Sequence, residues 1–520
     1  MKKIRDLFMP SHDAIDYNNR DKKNLFLKMY NCTSHFKRLK EQNCFFIIGD
    51  KGSGKTALAL YYQLNSPGNS ISKLLSISAT QYKQFISLKK AGKLDYTDYA
   101  SIWRATLLML MSQFIIQKTK KWIHKLTKKF SKIENAVLQY DEESLLPQLN
   151  TAIELASKLS TSENAGVNAE LLSVKANNEI NTFTKESYET IRFYINESEK
   201  KLKEGLSDIK LDNDFILFLD GLDARPADVE KKEFDNCLQG LYDALWQLDT
   251  EFFPMIRDSK GRMRICLLVR PDIFESLNVY NSNSRVSDNA VYLNWLTTEK
   301  EYKSQPLFRT MNKYFISQNG DDEYCGWDKY FCESDDFFSN LLKTTFIRPR
   351  DYFSALGILV KYYKDIDDDS DFFSSKSVSG DFFRREMSDY MLGEVKNYMN
   401  FYISNKDYAE YIKFFDFING KTTFSWFEYM EFYKSFKNYI DNSNVTNKEF
   451  YETPIKLLQF FYDSNLIGFF QQPNDGSRKF VCWSYREKTL NNLCPKIKEN
   501  CKYIVFEGVR KALNIGKSFK

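Results

Sequence analysis

Histidine is almost missing from this chain: three in 520 residues, His12, His35 and His124, far apart in sequence. The nine cysteines contain no C-x-x-C pair, and the closest are Cys325/Cys332 and Cys494/Cys501. No zinc spacing therefore exists, and the thiols read as reduced ones in a cytosolic protein. Long apolar runs are scarce as well. No apolar core follows the basic start Met1-Lys2-Lys3, which argues against a secretory leader. The most apolar helical stretch, Leu107 to Ile116, is preceded by Arg104, interrupted by Ser112 and Gln113, and too short to span a bilayer. It is expected to be a buried core helix, with no membrane span and a cytoplasmic location. A net charge of +5 and a pI near 8.4 permit nucleic-acid contact without demanding it. No repeat at periods of 20–50 residues is visible, nor any nuclease or protease signature.

What is present is a chain that can build sizeable cores. Hydrophobic residues make up 43% and charged ones 28%, a balance typical of folded domains. The length calls for two to four domains. The 43 Phe and 32 Tyr supply bulk for interiors and carry no cofactor signal by themselves.

The stretch with the sharpest chemical content is Cys44-Phe45-Phe46-Ile47-Ile48-Gly49-Asp50-Lys51-Gly52-Ser53-Gly54-Lys55-Thr56. An apolar strand runs into a glycine-rich turn, and a helix former, Ala57 to Tyr62, follows. This is G-x-x-x-x-G-K-[ST] in its required setting. Glycines let the backbone take φ > 0 and approach oxygen atoms closely, so that main-chain amides converge on a phosphate. The helix N-terminus adds the positive end of its dipole. In this pattern Gly49 to Thr56 would cradle a nucleoside triphosphate, Lys55 would reach the β- and γ-phosphates, and Thr56 would ligate Mg²⁺.

Two further apolar runs end in polar residues. Phe215 to Leu219 leads to Asp220-Gly221-Leu222-Asp223, and Ile265 to Val269 leads to Arg270-Pro271-Asp272. With Leu74 to Ser78 as another strand, short continuously apolar strands separated by helical stretches predict a parallel sheet covered on both faces. Ligands of such sheets lie at the carboxyl ends of the strands. Asp220 stands where a carboxylate holds Mg²⁺ through water, and Asp223 where one orients the attacking water. Alone, L-D-G-L-D is equally a strand ending in a turn. Arg270 would sense the γ-phosphate with its planar, permanently charged fork, or form a loop salt bridge. Arg348 and Arg350, flanking Pro349 before a helix at Tyr352 to Tyr363, would reach the nucleotide from a lid or pair with nearby acids. Arg309 is a further candidate, acting across a subunit interface.

The expected fold is α/β: a P-loop NTPase core with a parallel sheet covered by helices, a large helical insertion, and a C-terminal helical plus winged-helix-like region. The segments are 1–96, carrying the P-loop; 97–210, the helical insertion; 211–365, completing the core with Asp220, Arg270 and lid helices; 366–440, helical; and 441–520, winged-helix-like. An acidic, Ser-rich stretch, 365–377, marks one boundary. The last segment reads as a helix, Pro454 to Asp463, then strands Leu466 to Phe470 and Lys479 to Tyr485 around an N-D-G turn. Lys118, Lys121, Lys125, Lys128, Lys129 and Lys132 share a helical face opposite Trp122, Leu126, Phe130 and Ile133. Such a face binds nucleic acid or an anionic membrane surface, or is simply solvated.

On Gly49–Thr56, the strand ending in Asp220-Gly221-Leu222-Asp223, the strand ending in Arg270, and Arg348-Pro349-Arg350, the chain resembles bacterial P-loop ATPases of the STAND and AAA-like branch, and within it the proteins labelled FunZ. The resemblance spans about residues 1–365. It implies ATP as the nucleotide, Mg²⁺, hydrolysis coupled to conformational change or homo-oligomerisation, a winged helix after the core, and roles in regulation or antiviral defence with DNA, RNA or an effector protein as partner. One departure matters: many relatives carry a second acid after the Asp223 position, and Ala224 stands here. That leaves three expectations open, an ATPase, an ATP-held binding switch with slow turnover, and a DNA-binding regulator.

Overall fold

The computed structural model describes residues 1–11, 13–18, 20–31, 34–79, 82, 86, 98–119, 130–143, 188–226, 228–277, 282–334, 336–472 and 479–516. Within these, the chain forms two compact units, one of residues 38–48 and 59–291, the other of residues 1–37, 49–58 and 292–520.

The first unit is built on a five-stranded sheet in the order β2-β3-β4-β1-β5. Its strands are β1 (Phe46–Ile48), β2 (Ser70–Ser76), β3 (Asp214–Asp220), β4 (Met263–Val269) and β5 (Ala290–Tyr292). β2, β3, β4 and β1 pair in parallel, with Ile48 opposite Val269, Leu219 opposite Leu267, and Ser76 opposite Asp220. The apolar runs at 46–48, 215–219 and 265–269 are buried throughout, as a sheet covered on both faces requires. β2 begins at Ser70, earlier than the apolar residues at 74–77 indicate. Its first part alternates, and the ladder with β3 rather than side-chain polarity sets its start.

Helices cover this sheet: α1 (Lys55–Asn65) after the glycine-rich loop, α2 (Asp98–Thr119), α3 (Ser131–Glu143), α4 (Tyr188–Ser207) and α5 (Lys231–Gln247). Phe46 stacks on Tyr242 of α5 at 5.5 Å, and Phe114 of α2 meets Phe215 of β3 edge-on at 5.4 Å. α2 and α5 approach so closely that a Cβ on Gly240 would stand 2.5 Å from that of Tyr99. The expectation for 107–116 needs correction in length but not in burial. The helix runs 22 residues, long and apolar enough to cross a membrane, yet 78% of its apolar window is buried. Its polar interruptions are absorbed locally: Ser112 Oγ donates to Leu108 O, and Arg104 Nε donates to both Glu199 oxygens at 3.0 and 3.1 Å. Of the lysine face, Lys121, Lys125, Lys128 and Lys129, with Trp122 and Leu126, lie outside the described residues. Lys132 pairs with Asp208, while Phe130 and Ile133 are buried.

The second unit holds residues 292–520 with the N-terminal segment. Helix Arg20–Met29 packs on helix Pro306–Gln318. The acidic stretch lies inside this unit, where Arg5 pairs with Asp367 and Asp369 and Ile4 N donates to Ser370 O. α6 (Pro349–Asp365) packs on α7 (Asp381–Met399). A second sheet, ordered β6-β9-β7-β8, contains β6 (Thr423–Ser425), β7 (Ile467–Gln471), β8 (Phe480–Cys482) and β9 (Lys502–Val505). β6 leads into α8 (Trp426–Asp441), whose start is closed by a capping box between Ser425 and Glu428. α9 (Pro454–Asp463) has the bounds its Pro and preceding Thr453 cap predict. β7 and β8 form the expected antiparallel hairpin, Phe469 opposite Cys482. The N-D-G turn falls outside the described residues. The second strand is shorter than expected, because Ser484 and Tyr485 enter a short helix, α10 (Ser484–Glu487). Tyr485 N donates to the buried Asn465 side chain at 3.0 Å, which draws the chain away from the hairpin.

β1 is too short to satisfy the first half of β4, and side chains make up the difference. Ile265 N donates to the buried Asp249 carboxylate at 3.0 and 3.3 Å. Burial pushes the Asp249 carboxyl well above the ordinary range, while the Ile265 bond and the charge of Arg264 only partly offset it. A carboxyl raised in the fold contributes stability that is complete below its unfolded value, about 4, and fades as pH rises through the folded value. Asp249→Asn keeps an acceptor for Ile265 and cannot ionise. Urea unfolding of both proteins is therefore expected to show the wild type losing stability relative to the variant as pH rises from about 4 toward neutrality; parallel pH profiles would contradict this.

Candidate functional site

The glycine-rich loop is shaped by where its carbonyls point. Gly52 and Gly54 sit at φ +85° and +97°, which L side chains rarely adopt. Arg348 Nη1 donates to Lys51 O, Arg350 N to Gly52 O at 3.4 Å, and Trp295 Nε1 to Ser53 O at 2.8 Å. Three successive carbonyls are thus held by residues of the same compact unit. The amides are less engaged than the carbonyls. Ser53 N closes a turn onto Asp50 O, but among the described residues the amide N–H groups of Lys51, Gly52 and Gly54 find no protein acceptor. A run of unspent N–H groups in a turn of this kind is an anion-binding concavity. A Cβ on Gly54 would meet nothing within 4 Å, so the loop is open there.

Lys55 Nζ lies over the loop, donating to Gly49 O at 2.8 Å and Asp50 O at 3.2 Å. These two main-chain contacts direct its ammonium across the loop. Gly49 is glycine because a Cβ would stand 2.5 Å from Ser53 Oγ and 3.1 Å from Leu293 Cβ. That Ser53 hydroxyl is buried with no partner among the described residues. Thr56 occupies the first turn of α1, partly exposed. The donor set, amides plus one ammonium plus a hydroxyl, fits a magnesium-bound polyphosphate in kind.

Arg348 and Arg350 both lie against the loop, though not alike. The Arg348 guanidinium is buried and donates to Asp351 through Nε at 3.1 Å and Nη2 at 2.6 Å, to Glu394 at 3.0 Å, and to Lys51 O. Burial alone would lower its pKa; Asp351 and Glu394 outweigh that and raise it. Its fork braces the loop from behind. Arg350 packs its aliphatic part on Gly52, where a Cβ would come within 3.1 Å of Arg350 Cβ, and its head lies 3.9 Å from Glu394. Arg309 is exposed on its helix.

The other predicted residues belong to the first unit. β1, β4 and β3 are successive neighbours, so Ile48, Val269 and Asp220 end at one edge of the sheet. Asp220 Oδ1 accepts from Gly221 N at 2.8 Å, and Asp220 O accepts from Ile77 N. Gly221, at φ +88°, approaches so closely that a Cβ would stand 2.2 Å from Ile77 O. Tyr82 is buried, and its hydroxyl has no partner among the described residues. Burial pushes that phenol well above its ordinary value, and the charges of Cys237, Asp223 and Asp220 add to it. Arg270 is buried and its Nε donates to Asp272 at 3.0 Å, so the loop salt bridge weighed from sequence is present.

No family model, curated protein or solved structure matches this chain. The assignment therefore rests on the residues themselves. Three residues near these motifs were not legible from the sequence. Trp295 and Tyr82 carry no motif. Lys488, whose ammonium lies 2.9 Å from Asp50 Oδ1, is 438 residues away from it in sequence.

The Arg348 network yields a stability prediction. Arg348→Ala would leave the buried Asp351 without its cation, leave the buried Glu394 with only Arg350 at 3.9 Å, and release Lys51 O. A loss of about 3–5 kcal/mol is expected, read as a lower urea midpoint; a change under about 1 kcal/mol would show that the carboxylates find other partners.

Proposed function

We propose that this chain is a Mg²⁺-dependent P-loop ATPase whose nucleotide cycle drives a conformational or oligomeric change. The observation that carries the reading is the loop with three carbonyls held by side chains and main chain around it and with the amides of Lys51, Gly52 and Gly54 unspent among the described residues. When bound, magnesium–ATP supplies the scissile phosphoanhydride and a metal charge to offset the phosphates. The amides bind and orient the phosphate chain. Lys55, already directed by Gly49 O and Asp50 O, counters charge that builds on the transferred group. Thr56 is assigned as a direct metal ligand, Asp220 as a ligand through water, and Asp223 as the group that orients the attacking water. ATP rather than GTP, and a place in the STAND and AAA-like branch with its regulatory and defence roles, follow from the resemblance in Gly49–Thr56 and Asp220–Asp223.

A second reading, an ATP-held switch with little turnover, is favoured by Ala224 and by the number of unit contacts spent on holding the loop. The α9–β7–β8 order supports a winged helix, and with it a DNA-binding role.

Steady-state phosphate release from purified protein tests the first reading. Wild type is expected to turn over magnesium–ATP, and Lys55→Ala to lose about a hundredfold or more. Release that persists unchanged in Lys55→Ala would refute it. Light scattering with ATP and Asp223→Asn addresses the switch, which should still assemble when chemistry is blocked.

A further inference from the structure

The glycine-rich loop carries an acid of its own. Asp50 directly follows Gly49, and its carboxylate shares the loop with the amides offered to phosphate. A carboxylate there opposes binding of a polyanion by direct Coulomb repulsion. Among the described residues one cation stands within ion-pair distance of it, Lys488, at 2.9 Å. Lys488 is buried, its side chain 4% exposed against 25% for Asp50. Burying an ammonium is costly unless it is paired, so this contact is an expensive one to build and to lose.

The position of Lys488 is fixed by its surroundings. It follows α10, and its amide donates to Ser484 O. Tyr485 N is held by Asn465, and the Tyr485 ring meets Phe346 at 5.7 Å. Phe346 in turn lies under the Arg348 guanidinium, 4.9 Å from its centroid, and Arg348 holds Lys51 O. Two segments distant in sequence, 346–351 and 484–488, thus pack on each other and grip adjacent residues of the loop. The aromatic ring of Tyr398 flanks the ammonium at 5.9 Å.

We infer that Lys488 is the charge-balancing residue of the nucleotide site: it neutralises Asp50 so that the loop accepts polyphosphate, which ties nucleotide affinity to docking of the C-terminal segment that carries it. This rests on the nucleotide reading of the loop. Lys488 acts through Asp50 and is a positioning residue, with no role assigned in the chemical step.

Calorimetric titration of the full chain with magnesium–ATP tests it, using wild type, Lys488→Met, Asp50→Asn and the double variant. Lys488→Met should weaken binding about tenfold or more, because the carboxylate is left uncompensated. Asp50→Asn should tighten it by about tenfold, since the ammonium is then released toward the phosphates. The double variant should return to within about threefold of wild type, a rescue that a purely structural role for Lys488 would not give. Unchanged affinity in Asp50→Asn, or a double variant as weak as Lys488→Met, would overturn the inference while leaving the loop's function standing. If Lys488→Met does not fold, Asp50→Asn and the double variant decide alone. Wild type that takes up no ATP, with no heat at any concentration, would instead overturn the nucleotide reading and this inference with it.

Discussion

The geometry of the glycine-rich loop depends on its carbonyls being held from outside. Two residues of the turn, Gly52 and Gly54, sit at positive φ. If the oxygens were left to water, the turn would have no reason to keep one shape. Arg348, the Arg350 amide and Trp295 each take one oxygen, and among the described residues the N–H groups of Lys51, Gly52 and Gly54 find no protein acceptor. Preorganisation of this sort matters because amides already aimed at a phosphate need no reordering when it arrives.

Such a clamp has to be held rigidly itself. Arg348 is fixed by Asp351 and Glu394, and Tyr390 donates to Asp351 at 3.1 Å. Buried ion pairs contribute little net stability compared with apolar packing, but they penalise every alternative arrangement. The aromatic residues do the opposite job. Phe346, Tyr485 and Phe506 fill the space behind the clamp, with Phe346 4.9 Å from Phe506. Directional polar contacts select the geometry, and bulk burial stabilises it. The abundance of Phe and Tyr finds its use here as packing.

Much of the sheet was readable in advance because its signal is local. The runs at 215–219 and 265–269 are apolar on both faces, and only strands covered on both sides tolerate that. Pro454 behind Thr453 announced α9 by its own stereochemistry. Length was harder. Arg104, Ser112 and Gln113 interrupt the apolar pattern, yet each finds a partner or a partly exposed place that sequence does not display, and α2 runs on to Thr119. The end of β8 was misplaced for the same reason: Tyr485 has strand propensity, but the side chain of Asn465 captures its amide. β5 and β6, three residues each, offer too little pattern to be seen.

By itself the sequence determined the loop: glycines where φ must be positive, a lysine and a threonine at the start of a helix, an apolar strand before them. It also determined that Asp220 and Arg270 would close parallel strands, because those are properties of neighbours along the chain. Only the tertiary structure decided which arginine does what. Arg270 and Arg348 have similar motif surroundings, but one is paired with Asp272 and the other is spent on a loop carbonyl and two acids. It alone brought Lys488 to Asp50 and Trp295 to Ser53. Those contacts join residues far apart in the chain, and no local propensity encodes which distant charge will be buried beside which.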